Sequence, residues 1–516
     1  MKVKRALISV FNKSGLETFA RGLTDLGVQL ISTGGTARLL KDNDIPVTLV
    51  EDVTGFPEML DGRVKTMHPR LMAGILARRD VPEHMQTIAE HEIEPVDMVV
   101  CSLYPFEEVA NRRGVDDATV IENIDIGGPS MIRAAAKNHS GVAVVTDQAD
   151  YDEILDEMRD TGGELSLETC RNLAAKAFHR TAHYDFVIAN WFSESEGDFP
   201  QYVLRDYEKV MDLKYGENPH QRAAYYAEVG LRQHLLSQVN QLHGKQLSFN
   251  NLYDLHAARQ ICDEFSLPCV VIVKHNNPCG CALGESLTAA YDKALACDPV
   301  AAFGSVISVN RIVDVKLAEK LNKLFVEVLY APAYEEDALA ILKQKADIRI
   351  LESRERRQGN PGEFDCKRVL GGLLVQDKDN DVEERDEMKV VSKRHPSERE
   401  WGDLIFAYRV AKHVKSNAIV FAKDLATIGV GAGQMSRVDS TRIAIDKARA
   451  IKADLAGSVV GSDAFFPFPD AVELAIAAGA TAFMQPGGSK GDDAAVTACD
   501  KRDAAMVFAG RRHFLH

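Results

Sequence analysis

The alternation of short apolar runs with helical patterns most constrains what the first 190 residues can fold into. Runs such as RALISV and GVAVVT are each followed by a stretch with the spacing of an amphipathic helix. This β/α rhythm is typical of a parallel sheet covered by helices. A mixed pattern with apolar runs such as CVVIVK and NAIVFA continues towards the C-terminus. We therefore predict an α/β protein throughout.

Two polar stretches predict the domain boundaries of a chain whose 516 residues are too many for one core. The stretch SESEGDFPQ follows a long helical pattern and ends its periodicity. There we place the boundary between an N-terminal domain, 1–196, and a C-terminal region, 197–516. A second polar stretch, near 376–400, is predicted to be a solvated connector that divides the C-terminal region into two lobes.

Charge and cysteine usage limit the class of protein. The formal net charge of −15 argues against a general nucleic-acid binder, which needs a basic face. Local cations and helix N-termini can still bind a small anion. Nine scattered cysteines fit a reducing compartment, and no apolar run is long enough to span a membrane. The N-terminal apolar stretch is short and predicts a first strand rather than a signal peptide. We expect a cytoplasmic protein without nucleic-acid or membrane partners.

Several polar groups of the N-terminal domain fall where predicted strands end. The stretch STGGTARLL (32–40) follows a strand and opens a helix, so its backbone N–H groups and hydroxyls could bind phosphate, although packing alone also explains such a turn. The basic loop DGRVKTMHP (61–69) is either a solvated face or part of a site. Tyr104 and Asp125 also follow strands, and ligands bind at that end of a parallel sheet.

The C-terminal region contains a buried strand whose end carries Lys274 and His275 side by side, in VIVKHNNPCG. A surface turn, a metal site and an acid/base pair are the alternatives. A zinc deaminase needs H-x-E and P-C-x-x-C. Here the sequence has H-x-N, and Cys279 and Cys281 are separated by one residue. We therefore predict no metal site and favour the acid/base pair.

Motifs along the whole chain resemble those of one family, which joins AICAR transformylase to IMP cyclohydrolase. STGGTA, GRVKTMHP, LYPF and DIGGPSMIRAAAKNH resemble its cyclohydrolase domain, which is similar to methylglyoxal synthase. The later motifs resemble its transformylase domain, whose fold is two cytidine-deaminase-like lobes; they are LKYGENPHQ, GKQLSFNNLYD, VKHNNPCG, DPVAAFGSVI, KSNAIV, GVGAGQMSRVDS, SDAFFPFPD and RRHFLH.

The resemblance implies the last two steps of de novo IMP synthesis. In the first step, 10-formyltetrahydrofolate, as co-substrate, transfers its formyl group to AICAR and gives formyl-AICAR. In the second step, formyl-AICAR closes to IMP with loss of water. The resemblance also implies a homodimer.

For the cyclohydrolase domain the resemblance implies two sets of residues. The catalytic set is Lys65, Tyr104, Asp125 and Lys137. The set that holds the phosphate and ribose is Lys13, Ser32, Thr33, Gly35, Thr36, Arg63 and Thr66. Ring closure needs a cation or donor beside the developing oxyanion and a group that moves a proton. Whether Tyr104 or Asp125 moves the proton stays open at this point.

For the transformylase domain we expect His275 to remove the proton of the AICAR amine, because imidazole exchanges protons near neutral pH. Lys274 would protonate the leaving folate nitrogen or bind the oxyanion, and Asn417 would donate to the formyl oxygen. The resemblance implies that Glu327 binds the pterin. The residues implied for AICAR are Lys214, Tyr215, Arg437, Phe465, Arg512 and Phe514. Lys214 stands where the family often has Arg, so a bidentate phosphate contact is reduced to a point charge.

Two other classes of protein compete with this interpretation. Methylglyoxal-synthase-like domains also serve as phosphate-sensing modules, which would leave Lys274, His275 and Asn417 without a role. A metal-dependent deaminase is the other alternative. An assay with AICAR and 10-formyltetrahydrofolate that follows IMP separates the enzyme from the sensor.

The metal prediction can be measured directly. Because the chain lacks H-x-E and has only C-x-C, purified protein should carry no stoichiometric zinc, and chelators should leave formyl transfer unchanged. Elemental analysis and activity after chelation check both points. A content of about one zinc per chain, lost together with activity, would contradict the prediction.

Overall fold

The computed structural model divides the chain into two compact units, Met1–Asp206 and Tyr207–His516, called unit 1 and unit 2. The predicted boundary between residues 196 and 197 lies outside the described residues. No helix in the described part of the chain is long and apolar enough to cross a membrane. The residues described are 1–60, 63–112, 114–193, 199–229, 236, 239–354, 364–382 and 384–516.

Unit 1 is built on a five-stranded parallel sheet. Its strands are β1 (Arg5–Val10), β2 (Gln29–Ser32), β3 (Thr48–Leu49), β4 (Met98–Ser102) and β5 (Ala143–Val145). Its helices are α1 (Leu16–Asp25), α2 (Gly34–Asp42), α3 (Val50–Thr54), α4 (Pro69–Leu76), α5 (Pro82–Glu90), α6 (Phe106–Ala110), α7 (Asp117–Glu122), α8 (Gly127–Lys137), α9 (Tyr151–Asp160) and α10 (Leu167–Ser193).

The strand order β3-β2-β1-β4-β5 creates a crevice at the carboxyl ends of the strands. From β1 the sheet extends to β2 on one side and to β4 on the other, and all four pairings are parallel. The loops that follow β1 and β4 therefore leave in opposite directions. Ligands of open α/β sheets bind in such a crevice. The apolar strands lie in one core with the inner faces of the helices, which confirms the predicted parallel β/α fold.

Unit 2 is dominated by a twelve-stranded mixed sheet, and two separate hairpins, β6–β7 and β14–β15, lie outside it. The strands are β6 (Tyr207–Leu213), β7 (Ala223–Glu228), β8 (Asn240–His243), β9 (Cys269–Lys274), β10 (Asn277–Leu283), β11 (Ser305–Val309), β12 (Val326–Ala331), β13 (Arg349–Glu352), β14 (Phe364–Val369), β15 (Gly372–Asp377), β16 (Lys389–Val390), β17 (Ile419–Lys423), β18 (Ala426–Gly431), β19 (Ser458–Ser462), β20 (Ala480–Gln485) and β21 (Ala505–Phe508). The helices are α11 (Phe249–Asp263), α12 (Leu287–Cys297), α13 (Val315–Leu321), α14 (Glu336–Leu342), α15 (Glu398–Ala411), α16 (Arg437–Ala450), α17 (Asp470–Ala478) and α18 (Asp492–Lys501).

Two lobes with the same element order form this sheet. The first runs from α11 through β9, β10 and α12 to β13, and the second from α15 through β17, β18 and α16 to β21. Strand order is mirrored about the β10–β18 pair, with β8 and β16 outermost. Close packing is repeated too: an added Cβ would lie 1.9 Å from the Ala294 carbonyl oxygen at Gly280, and 2.6 Å from that of Ala444 at Gly429.

The antiparallel pairing of β10 with β18 brings opposite ends of the two lobes together. Ala282 pairs with Ala426, so the start of β10 lies on the same side of the sheet as the end of β18. We call this side the upper rim: it contains the C-terminal ends of β9, β18 and β19 and the N-terminal ends of β10, β11, β12 and β17. The opposite side is the lower rim.

The polar stretch 376–400 is only partly a connector. Its first two residues end β15, while β16 pairs with β21 at the edge of the large sheet. Glu400 is buried in α15 and accepts a hydrogen bond of 3.0 Å from Arg394. A carboxylate can be buried in this way because a guanidinium neutralises it. The second half of the stretch is therefore structural.

Candidate active sites

The N-terminus of α2 collects two lysines in the crevice of unit 1. Thr33 is the N-cap, and Gly34 has φ 52°, a conformation that glycine adopts at low cost. A Cβ at Gly34 would lie 2.6 Å from Lys65 Nζ, and one at Gly35 would lie 3.8 Å from Lys13 Nζ. Both glycines thus let an ammonium group approach the helix end. Two cations beside the positive end of a helix dipole are unfavourable alone and become favourable with a bound anion.

The hydroxyl groups near this helix end have different surroundings. Ser32 Oγ donates to the Ile8 carbonyl at 2.7 Å, and Thr36 Oγ1 donates to the Val10 carbonyl at 3.0 Å. Both side chains are buried, so they fasten α2 to β1. The buried Thr33 Oγ1 has no hydrogen-bond partner within the described residues. Among the three predicted hydroxyls, that of Thr33 is therefore the one left for a ligand.

The basic loop that precedes α4 places side chains at the N-termini of two helices, α2 and α8. Lys65 forms an ion pair of 3.1 Å with Glu58, which holds its amine beside Gly34. Thr66 Oγ1 lies against the start of α8, 2.9 Å from the position of an added Cβ at Gly127. Arg63 instead pairs with the exposed Glu122, with 3.1 Å between Nε and Oε1.

Asp125 lies at the N-terminus of α8 and is held from both sides. Its Oδ1 accepts a hydrogen bond of 2.8 Å from the Gly128 N–H, and its own N–H donates to the Tyr184 hydroxyl at 2.7 Å. Burial raises the pKa of this carboxyl above its usual value, although the backbone N–H groups of Gly128, Tyr104 and Gly127 oppose the shift. Tyr184, on α10, was not found by sequence reasoning because it is 59 residues away.

Lys137 does not join this group. It ends α8, ten residues after the helix start, so the helix separates it from the end at which Asp125 lies by about 15 Å. It lies instead in a cavity of about 550 Å³ with Arg133, His139 and Phe178. Tyr104 does lie at the crevice: it is half-exposed, and its ring contacts that of Phe11 with centroids 5.9 Å apart.

In unit 2, Lys274 and His275 lie in the tight turn between β9 and β10, at the upper rim. His275 and Asn276 both have positive φ, 54° and 60°. The Lys274 amine donates to the Phe303 carbonyl at 2.8 Å, which directs it along the rim. The His275 side chain is exposed.

Asp254, on α11, holds this turn. Its carboxylate accepts hydrogen bonds from the Asn276 N–H at 2.7 Å and from the His275 N–H at 3.3 Å. Burial raises the pKa of the carboxyl, and these two bonds oppose the shift. The motif GKQLSFNNLYD ends in this residue, but its contact with the turn depends on tertiary structure, so the role could not be predicted from the sequence.

The second lobe contributes Asn417 and Arg437 to the same rim. Arg437 donates to the Asn417 carboxamide oxygen and forms an ion pair of 2.8 Å with Asp463, whose side chain is fully buried. The Asn417 Nδ2 donates to the Gln434 carbonyl at 2.8 Å. The charge of Arg437 is therefore compensated by Asp463, and its guanidinium fixes the direction of the Asn417 amide.

The C-terminal tail covers the junction between the lobes. The Ser416 N–H donates to the Leu515 carbonyl at 2.9 Å, and the Lys415 N–H donates to Asn277 Oδ1 at 3.0 Å. Arg512 stacks over the Phe514 ring at 4.3 Å. Asn276, Lys415, Phe514 and His516 line a cleft of about 590 Å³. Phe465 is half-buried and follows Asp463 along the chain.

Lys214 and Tyr215 lie at the N-terminus of α11. The Phe249 N–H, at the start of that helix, donates to the Tyr215 carbonyl at 3.2 Å, and the Lys214 amine lies 5.5 Å from the Tyr215 ring centroid. Since α11 is followed by β9, which runs back along it, the start of α11 lies at the upper rim. Lys214 also lines a cavity of about 500 Å³ together with His220 and Arg222.

Glu327 lies at the start of β12, also at the upper rim. Two strand spacings, about 10 Å, separate β12 from β9. Its Oε2 forms an ion pair of 2.6 Å with Arg349, which is buried. The pair holds the carboxylate at the rim.

Within the described ranges, no group of three or more His, Cys, Asp and Glu side chains is arranged to hold a metal ion. Burial raises the pKa of the Cys279 thiol to about 12, which disfavours the thiolate that a metal requires.

Fold and geometry together define an α/β protein with two separate candidate sites for small anionic substrates. Comparison with known proteins gives the family. The family model AICARFT/IMPCHase bienzyme matches residues 135–447, and the model of the MGS-like domain matches residues 15–130. The bifunctional purine biosynthesis protein PurH of Thermoanaerobacter sp. (strain X514) is 50% identical over 514 residues, which are 99% of this chain and 100% of that protein. The chain belongs to the AICARFT/IMPCHase bienzyme family, which confirms the resemblance found in its motifs.

A solved structure is also similar. The crystal structure of ForH shares 37% sequence identity, covers 37% of this chain and 98% of its own, and has a TM-score of 0.35.

The raised pKa of Asp125 predicts that the carboxylate costs stability. A raised folded-state pKa means that stability is full below the unfolded-state value, about 4, and is lost as the pH rises through the folded-state value. Asp125→Asn keeps an acceptor for Gly128 and removes the buried charge. We expect a higher thermal midpoint than wild type at pH 7 and a difference that vanishes towards pH 4.

The exposed N-cap Asp116 provides the control. Hydrogen bonds from Thr119 lower the pKa of its carboxyl, so the ionised form is favoured in the folded state. Its stabilisation is present above the unfolded-state value and is lost as the pH falls through the folded-state value. Asp116→Asn should therefore not raise the midpoint at pH 7. A lower midpoint for Asp125→Asn at pH 7 would show that the hydrogen bonds of the carboxylate outweigh its burial.

Proposed function

We propose that the two units perform the two reactions of the family at separate sites. The chain is a bifunctional enzyme of purine biosynthesis, with formyltransferase and cyclohydrolase activities. We assign ring closure of formyl-AICAR to the domain 1–196 and formyl transfer from 10-formyltetrahydrofolate to the region 197–516. The convergence of Lys274 and His275 from one lobe with Asn417 from the other supports the second assignment, since a single lobe would not bring them together.

In ring closure, the carboxamide nitrogen of formyl-AICAR attacks the formyl carbon and water leaves. We propose that the N-terminus of α2, with Lys13, Thr33 and Gly35, holds the phosphate, and that Lys65 stabilises the developing oxyanion. We assign the proton transfer to Asp125, because burial brings its pKa closer to neutral pH. Tyr104 then orients the substrate ring.

The remaining predicted residues of this domain receive supporting roles. Ser32 and Thr36 hold α2 against β1, and Thr66 packs against α8 near the ribose. Arg63 pairs with Glu122, so it would have to exchange this partner to contact the nucleotide. We leave Lys137 out of the chemistry, because it lies at the other end of α8.

In formyl transfer, the AICAR amine attacks the formyl carbon and the bond from that carbon to the folate nitrogen breaks. We propose that His275 takes the proton of the amine and Lys274 gives a proton to the leaving nitrogen, so that protons balance. The Asn417 Nδ2 has two hydrogens, of which one is donated to Gln434. The other would bind the formyl oxygen.

The residues proposed for AICAR and folate are distributed along the upper rim. Lys214 and Arg512 are exposed cations suited to the phosphate, and Tyr215, Phe465 and Phe514 offer ring faces to the base. Arg437 acts mainly through Asn417. Glu327 is proposed to bind the amino edge of the pterin. The reaction as written requires no metal ion.

The joining of the two reactions has a thermodynamic reason. Formyl transfer to a weakly nucleophilic amine is poorly driven, and dehydrative ring closure consumes its product. A single chain that carries both activities therefore draws the first reaction forward. Formation of IMP from AICAR and 10-formyltetrahydrofolate by the purified chain is the primary test, and formation of neither formyl-AICAR nor IMP would overturn the proposal.

We further propose a homodimer in the cytoplasm. The β14–β15 hairpin exposes Val369, Leu370, Leu373 and Leu374, an apolar surface of the kind that protein contacts cover. Nine free cysteines, of which eight are buried, fit a reducing compartment. Light scattering should give the mass of a dimer, and a monomeric mass at micromolar concentration would contradict the proposal.

Lys65→Ala should remove cyclisation and leave formyl transfer nearly intact. The ammonium beside Gly34 is the cation proposed for the oxyanion, and such a group is worth about 10²–10³ in kcat. Formyl-AICAR should accumulate in the coupled assay. Lys41→Ala, in the last turn of the same helix, is the control and should retain both activities. An equal loss of both activities in folded Lys65→Ala protein would refute the assignment of the two activities to two sites.

His275→Ala should lower the kcat of formyl transfer by about 10²-fold or more while the KM for AICAR changes little, as expected for a general base. Lys274→Ala should be similarly damaging, and Cys279→Ala mild. Cyclisation of added formyl-AICAR should survive all three. Asp424→Ala changes the equivalent turn residue of the second lobe, φ 54°, and should retain formyl transfer. Near-normal transfer by folded His275→Ala protein would refute the mechanism.

A further inference from the structure

The two lobes hold their equivalent turns with equivalent carboxylates. Asp254 is the sixth residue of α11 and binds the turn between β9 and β10; Asp403 is the sixth residue of α15 and binds the turn between β17 and β18. Asp254 Oδ1 accepts from the Asn276 N–H at 2.7 Å, and Asp403 Oδ1 accepts from the Leu425 N–H at 2.7 Å. The repeated bond is thus a structural feature of both lobes.

The first lobe adds two contacts that the second lobe lacks, and both act on His275. Asp254 Oδ2 accepts from the His275 N–H at 3.3 Å, whereas Asp403 Oδ2 accepts no hydrogen bond within the described residues. Asn277 Nδ2 donates to the His275 carbonyl at 3.1 Å. The second lobe has Ala426 at the position of Asn277, so no such bond can form.

The fold of the turn does not require these additional contacts. Asp424 and Leu425 in the second lobe have φ values of 54° and 57°, close to those of His275 and Asn276, and the single bond from Asp403 accompanies that geometry. The contacts to the two backbone groups of His275 therefore serve its position rather than the existence of the turn.

Asn277 also connects the two halves of the upper rim. While its Nδ2 binds the His275 carbonyl, its Oδ1 accepts from the Lys415 N–H at 3.0 Å, two residues before Asn417. One carboxamide thus fixes the distance between the segment that carries His275 and the segment that carries Asn417.

We propose that Asp254 and Asn277 are positioning residues for formyl transfer, which hold the His275 backbone by its N–H and its carbonyl and so direct the imidazole at the substrate amine. The proposal rests on the proposed role of His275. Small misplacement of a catalytic group lowers kcat, and a displacement of about 1 Å can cost about 10²-fold.

Two substitutions and a matched control test the proposal on the full chain. Asp254→Asn keeps one oxygen for Asn276 and sets an amide N–H₂ against the His275 N–H. Asn277→Ala introduces the residue that the second lobe carries, which that turn accommodates. Asp403→Asn keeps the single bond of the second lobe and is the control. The measurements are kcat and the KM for AICAR in formyl transfer, cyclisation of added formyl-AICAR, and the thermal midpoint.

We expect Asp254→Asn and Asn277→Ala to lower the kcat of formyl transfer by about tenfold or more, with the KM for AICAR within about threefold and cyclisation unchanged. Asp403→Asn should change neither activity. A kcat within about twofold of wild type in folded protein, a loss proportional to the unfolded fraction, or an equal loss in Asp403→Asn would each overturn the proposal.

The double variant Asp254→Asn/His275→Ala distinguishes action through His275 from an independent effect. If Asp254 acts through the imidazole, the double variant should have the kcat of His275→Ala alone. If the kcat of the double variant falls below that of His275→Ala by the full factor that Asp254→Asn causes alone, the positioning role is overturned. Wild-type protein that transfers no formyl group would instead refute the proposed function, which is a separate outcome.

Discussion

The single strand pair β10–β18 is the constraint on which the rest of unit 2 depends. It is short: Ala282 pairs with Ala426, and the Thr427 hydroxyl accepts from the Cys281 N–H at 2.9 Å and donates to the Cys281 carbonyl at 3.2 Å. Because the pairing is antiparallel, each rim contains the hairpin turn of one lobe. Beside that turn lie strand ends and the N-terminus of a helix from the other lobe. Neither lobe alone could place Lys274 and His275, the proposed acid/base pair, beside the Asn417 amide.

The sequence predicted the layers of the fold because those depend on local periodicity. The run RALISV is β1, and the long helical pattern that ends near residue 193 is α10. The family resemblance implied two lobes of one fold in unit 2. The residues themselves did not show this duplication, since equivalent elements share their pattern of buried positions but few residues. The stretch 376–400 was expected to be solvated because its residues are polar. Its second half is part of the fold because Arg394 neutralises Glu400, and that pairing is decided by tertiary contacts.

The motifs predicted which residues lie near a site. They did not predict as well which contacts each side chain makes there. Ser32 stands in a motif suited to phosphate, yet its hydroxyl donates to the Ile8 carbonyl, because the neighbouring strand β1 offers an acceptor within the fold. Arg437 was expected to hold AICAR, and Asp463, 26 residues away, compensates its charge. Asp254 ends the motif GKQLSFNNLYD, from which no role was predicted for it. In each case a partner distant in sequence determines the direction of the polar group, and one sequence does not reveal that partner.

The lower rim has the same architecture without the residues proposed for formyl transfer. The residues equivalent to Lys274, His275 and Asn276 are Lys423, Asp424 and Leu425, and the N-terminal position of α16 that holds Arg437 is Leu287 in α12. Lys423 is bound by Asp454 at 3.0 Å and by the Ala456 carbonyl at 2.8 Å, so its ammonium serves the packing of its own lobe. Each of the two rims is built from residues of both lobes, and the proposed formyl transfer needs only one of them. The other can exchange acid/base residues and cations for contacts that stabilise the sheet, which explains why the polar groups of unit 2 that could act on a substrate are concentrated on one side.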